Sequence, residues 1–137
     1  TVAFAAAGYG EVWVNGEKAD ATAVLEPGVS QWNRRLHVPA YEVTSKLVPG
    51  TNTIGLMLGA GWYGHLKRSP VIKAVLLASG QNVPIANVST DVHWTVGQCP
   101  ILYSDIYNGE IYDARVEDPR WATPGGGAGW PPAKASA

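Results

Sequence analysis

Tyr103-Ser104-Asp105-Ile106-Tyr107-Asn108-Gly109-Glu110-Ile111-Tyr112-Asp113-Ala114-Arg115 gathers three acids, three tyrosines and an arginine around one Asn-Gly pair. Asn-Gly between residues of high β-propensity is the strongest short-range hairpin signal, because a type I′ turn needs positive φ at both central positions. The stretch therefore predicts two antiparallel strands joined at Asn108-Gly109, with Asp105, Asn108, Glu110 and Asp113 held near one rim. Oxygen donors in such an array suit a hard cation such as calcium, or the hydroxyls of a sugar. Tyr107 and its neighbours set flat faces beside them. An ordinary hairpin with solvated acids and packing tyrosines is the alternative reading of the same residues.

Working outward, the turn dipeptide recurs upstream in Glu11-Val12-Trp13-Val14-Asn15-Gly16-Glu17-Lys18. There Val12 and Val14 alternate with Trp13, which places the tryptophan on the opposite face. Thr1 to Ala7, β-branched and small, reads as a strand covered on both faces. Leu25 to Trp32 is a loop punctuated by Pro27-Gly28. Arg34 to Val43 alternates as a strand with Leu36 and Val38 on one face. Pro39 demotes it to an edge or a bulge, since proline cannot donate to the ladder. Thr44 to Val48 forms one helical turn capped by Thr44 and ended by Pro49-Gly50. Thr51 to Leu58, Val71 to Ala78 and Val83 to Val88 are further strands, the last preceded by a turn at Ser79 to Asn82.

Many short strands with turn signals between them, and almost no helix, predict an all-β fold: an antiparallel β-sandwich of jelly-roll type. Periodicity is lost after Arg115. Residues 1–120 are read as the domain, and residues 121–137, rich in Trp, Gly and Pro, as an irregular tail or linker. Trp121 and Trp130 are expected to tack that tail against the sandwich.

At 137 residues the chain is one domain that buries roughly two-thirds of its unfolded surface. Net charge is −1 with charged residues at 15%, below the average of about 25%. No basic stripe or charge block exists, which argues against nucleic acid and anionic membranes as partners. No apolar run reaches the ~20 residues that span a bilayer. Cys99 stands alone and reads as a small buried hydrophobe. The start at Thr1, with neither an initiator methionine nor a signal peptide, reads as a piece of something longer.

His37, His65 and His93 are scattered without zinc-ligand spacing. No GxSxG elbow is present, and Gly59-Ala60-Gly61 lacks the offsets of a phosphate-binding loop. Asp105, Glu110 and Asp113 are the candidate carboxyls for glycosidase chemistry, but a small sandwich rim offers little wall to hold a substrate. No catalytic residue is assigned. Gly59-Ala60-Gly61-Trp62-Tyr63-Gly64-His65 brackets two rings with glycines. Such a loop either displays Trp62 and Tyr63 for stacking on a pyranose or folds Trp62 inward. Asn87-Val88-Ser89 matches the N-glycosylation sequon.

Several blocks carry a family resemblance in order. They are Val12-Trp13-Val14-Asn15-Gly16-Glu17-Lys18, Leu25-Glu26-Pro27-Gly28, Tyr41-Glu42-Val43-Thr44, Leu47-Val48-Pro49-Gly50-Thr51-Asn52, Leu58-Gly59-Ala60-Gly61-Trp62-Tyr63 and Ser104 to Arg115. Together they resemble the N-terminal accessory β-sandwich of α-L-rhamnosidases of glycoside hydrolase family 78, similar to carbohydrate-binding module family 67. The resemblance implies a jelly roll, and catalytic acids that lie in a separate barrel outside this chain. It implies a non-catalytic module for terminal α-L-rhamnose in a rhamnose-containing glycan, held through a bridging calcium ion. Asn108 is carried to that role, with Asp105 and Asp113 as further metal ligands and Trp62, Tyr63 and Tyr107 against the ring. Ala60 stands where the family often has Asp or Asn, which puts the completeness of the calcium site in question. A structural accessory domain of a larger, secreted or extracellular protein is the alternative.

Overall fold

The computed structural model describes residues 1–31, 33–64, 71–77, 87–105 and 107–134. Among the described residues every strand pairing is antiparallel, in two sheets packed face to face plus one separate hairpin. β1 (Val2–Ala7) and β2 (Tyr9–Val14) are almost continuous, yet they belong to different sheets. The switch falls on Gly8, at φ +111°. A Cβ there would lie 2.5 Å from the Gly59 carbonyl oxygen, so only glycine fits the corner.

The first sheet runs β4 (Ala40–Tyr41), β1, β6 (Val71–Leu77), β7 (Asn87–Ser89). The second runs β3 (Glu17–Lys18), β2, β5 (Ile54–Gly59). Val2, Phe4 and Ala6 of β1 meet Val12 and Val14 of β2 in one core, closed by Ala19 and Val43. Period-2 alternation thus runs on across Gly8, and each strand turns its even-numbered side chains inward. Tyr41 stacks on Phe4 with ring centroids 6.1 Å apart, and burial pushes its phenol up to about 12.

Asn15 and Gly16 both take positive φ, 52° and 86°, as the primed hairpin turn requires. The Asn15 side chain also donates to the Lys46 carbonyl and accepts from the Thr53 amide, so the turn ties the start of β5 to its neighbour. A 3₁₀ turn spans Thr44–Lys46. Thr44 does not cap it. Val43 holds that position, and the Glu42 carboxylate accepts from both the amide and the hydroxyl of Thr44.

The strand expected over 34–43 shrinks to Ala40–Tyr41 on the sheet edge. Before it, the amides of Arg34 and Arg35 turn back to the Gln31 carbonyl, and Ser30 Oγ accepts from the His37 amide. These donors are spent locally, and Pro39 has none to offer. Of the strand expected over 83–88, Asn87 and Val88 lie in β7, while 83–86, like the turn at 79–82, lie outside the described residues. Asn87, the sequon asparagine, pairs with Leu77.

The segment beyond residue 120 is docked. Trp121 meets Trp13 edge-on at 5.8 Å, Ala122 is buried, and Trp130 lies over Gly97. The Val96 amide donates to Pro131, and that of Ala133 to Trp94. Among the described residues no helix is long and apolar enough to cross a membrane.

Candidate functional site

The hairpin predicted at the centre of the sequence is present as β8 (Ile101–Asp105) and β9 (Gly109–Tyr112). Its turn differs from the expected type I′. Gly109 takes φ +82° while Asn108 stays out of the left-handed region, and Asp105 pairs directly with Gly109. Asp105 closes the loop instead. Its Oδ1 accepts from the amides of Tyr107 (2.8 Å) and Asn108 (2.7 Å) and from Asn108 Nδ2 (2.9 Å). A short acid that captures backbone donors two and three residues on stabilises such a turn without demanding positive φ.

Asp113 sits at the other end. Its amide donates to the Pro100 carbonyl, level with the start of β8. Four residue steps of extended chain lead to it from Gly109, about 13 Å at ~3.3 Å per step. Its carboxylate is engaged by Arg115, whose Nε and Nη2 approach to 2.8 and 2.6 Å. That pairing holds Asp113 below the usual carboxylate range and raises Arg115.

The single rim expected for Asp105, Asn108 and Asp113 is therefore split between the two ends of the hairpin. A calcium ion takes six to eight oxygens at about 2.3–2.6 Å. The tip brings together one carboxylate and one amide, and among the described residues no group of three His, Cys, Asp or Glu side chains could hold a metal. The three-residue calcium set does not fit one ion here. The physical reason is hairpin length, which residue spacing alone did not convey. Glu110, opposite Ser104, is exposed.

The aromatic residues divide as well. Tyr107 is 83% exposed at the tip. Gly61–Gly64 forms a single helical turn, α1, packed against β8. Tyr63 is 7% exposed and meets Trp62 edge-on at 5.6 Å. The Trp62 indole N–H is buried with no hydrogen-bond partner. Of the two rings in the loop, Tyr63 is buried, and Trp62 is half-buried with its indole N–H turned inward. Gly61 seats against the Tyr9 ring so closely that a Cβ would lie 2.4 Å away, which draws the loop onto β2.

One feature was missed in the residue pattern. An open apolar cleft lies beside β5, lined by Leu56, Val92, Val96, Trp121 and Trp130 among others. Val92, Val96 and Ile111 are about half exposed or more. Their signal was the alternation of Val92, Trp94 and Val96 with Asp91, His93 and Thr95, in a segment that forms no named strand.

Among the described residues, two antiparallel sheets and a hairpin define a domain of the all-β, antiparallel β-sandwich class. The α-L-rhamnosidase N-terminal domain family matches residues 1–137, and the chain belongs to that family. An α-L-rhamnosidase of Formosa agariphila is 35% identical over 129 residues, covering 86% of this chain and 14% of that protein. One from Streptomyces avermitilis is 28% identical, covering 88% of this chain and 12% of that protein. The crystal structure of a Streptomyces avermitilis α-L-rhamnosidase complexed with L-rhamnose matches 98% of this chain and 14% of its own, with TM-score 0.91 and 26% identity. Native α-L-rhamnosidase from Aspergillus terreus matches at TM-score 0.85 and 27% identity, over 96% of this chain and 16% of its own. The chain thus spans about one-seventh or less of the length of these curated relatives.

Proposed function

We propose that this chain is a non-catalytic accessory domain of a larger α-L-rhamnosidase, with the catalytic acids elsewhere in the polypeptide. The observation that carries this reading is coverage. The whole chain matches an N-terminal domain, yet it accounts for 12–14% of the rhamnosidases it resembles. Its main contribution is structural, because Tyr63 of the aromatic loop is packed inward and Asp105 and Asp113 are tied to neighbouring donors. Secretion, or display outside the cell, belongs to the same proposal.

A second reading has one specific support, the hairpin tip. Tyr107 exposes its ring there, and Asn108 turns its Nδ2 toward Asp105, leaving its carbonyl oxygen directed away from that contact. The tip thereby offers an apolar face and an amide oxygen to a terminal α-L-rhamnose. Isothermal titration of L-rhamnose with calcium, and then with EDTA, separates the readings. The structural reading expects no heat in either condition with the fold intact. Heat that needs calcium and vanishes in Asn108→Ala establishes the sugar site and returns the metal question to the tip.

A further inference from the structure

The sequence holds two Asn-Gly pairs, and the fold treats them differently. Such a pair carries a chemistry as well as a turn. With no Cβ on the glycine, its amide nitrogen can approach the side-chain carbonyl carbon of the asparagine before it. How firmly the fold holds that asparagine decides whether it does.

Asn15 is held from several sides. Its Nδ2 donates to the Lys46 carbonyl and to Asn52 Oδ1, both at 2.8 Å, and its Oδ1 accepts from the Thr53 amide at 2.9 Å. Its own amide donates to the Thr53 carbonyl at 2.9 Å. The side-chain partners lie 31 to 38 residues away, so releasing Asn15 means parting the turn from the start of β5. Gly16 is packed as well. A Cβ there would lie 2.8 Å from the Thr123 methyl group.

Asn108 is exposed at the hairpin tip, and its holding contacts are local. Its Nδ2 donates to Asp105 Oδ1 at 2.9 Å, and its amide donates to the same oxygen at 2.7 Å. Both bonds face water, which replaces them readily. A turn closed by its own residues opens without disturbing the sheets, and such local openings need far less free energy than global unfolding.

We propose that Asn108 is a site of spontaneous deamidation, while the fold protects Asn15. The Gly109 amide gives its proton to solvent base, and its nitrogen bonds to Asn108 Cγ. The Cγ–Nδ2 bond breaks, and Nδ2 leaves as ammonia with a proton taken from solvent. Water then opens the five-membered succinimide at either carbonyl, leaving aspartate or isoaspartate. One amide and one water become one carboxylic acid and ammonia, and nothing is oxidised. The new acid ionises, which sets a second carboxylate beside Asp105 and adds one negative charge to the chain. Asn108 is also the residue of the sugar reading above, but this chemistry does not depend on that reading.

The test is peptide mapping by mass spectrometry during incubation in mildly alkaline buffer, on the polypeptide as its source organism makes it. One sample is kept folded and one in denaturant. Fragment ions assign the amide-to-acid mass gain to Asn15 or Asn108. In denaturant the two convert at similar rates, because glycine follows both. In the folded protein Asn108 converts at least ~10-fold faster than Asn15. Equal rates when folded overturn the proposal, and so does faster conversion at Asn15. Conversion at neither site until denaturant is added also overturns it, since the tip is then as firmly closed as the sandwich. Asn108→Gln checks the route, because attack there needs a six-membered ring and the mass gain at this position falls away. A gain at 108 that persists in that variant overturns attack through Cγ.

Discussion

At the scale of single residues, Gly8 is fixed by a neighbour distant in sequence and Glu42 by one two residues on. Gly8→Ala places a methyl group 2.5 Å from one carbonyl oxygen and 3.0 Å from a second, at a φ of +111°. Both obstacles are backbone, which cannot swing aside, so the expected loss is about 2–4 kcal/mol. Urea denaturation of the variant checks it. Glu42 is held down from 4.5 to about 2, first by the Thr44 hydroxyl and then by the Thr44 amide. A depressed carboxylate contributes stability that is fully present above its unfolded pKa and is lost as pH falls through the folded one. Stability should therefore decline between about pH 4.5 and 2 with a component absent in Glu42→Gln. Denaturation midpoints of both proteins across that window test the sign. An equal decline in the two removes Glu42 from the account.

At the scale of elements, the two Asn-Gly turns teach different lessons. Asn15-Gly16 is a primed turn whose asparagine also ties β2 to Lys46, Asn52 and Thr53. Asn108-Gly109 is closed by an acid three residues earlier, on an exposed tip. Asn15→Ala leaves part-buried partners unsatisfied and should cost about 2–3 kcal/mol, whereas Asp105→Ala should cost about 1 kcal/mol because water replaces its bonds. Paired thermal melts measure the ranking, and a larger loss for Asp105 would contradict it. Both turns were legible as turns, since glycine after asparagine admits little else. The type at Asn108-Gly109 was not, because Asp105 captured the free amides of that turn. The residues expected to share a calcium ion divide at this scale too: Asp105 and Asp113 look close in sequence, but a hairpin of this length sends them to opposite ends.

At the scale of the whole molecule, the segment after residue 120 is part of the packing. Trp121 covers Trp13 and leaves a built Cβ on Gly55 only 2.6 Å from its own ring. Trp121 is half-buried, so Trp121→Ala is expected to cost about 2–3 kcal/mol, below the 3–5 typical of a fully buried ring. For a chain this long, that corresponds to a fall in Tm of very roughly 10 °C. Calorimetry on the variant decides it, and an unchanged Tm would mean the segment is not held by this ring. The sequence by itself determined the all-β class, the core face of β2 at Val12 and Val14, both hairpins and the family, because strand period and turn chemistry are local properties. Only the tertiary structure decided that Gly8 hands the chain from one sheet to the other, that Tyr63 packs inward and that the hairpin acids part company. Each of these depends on which backbone groups come together across the sandwich, and no local pattern encodes that distance.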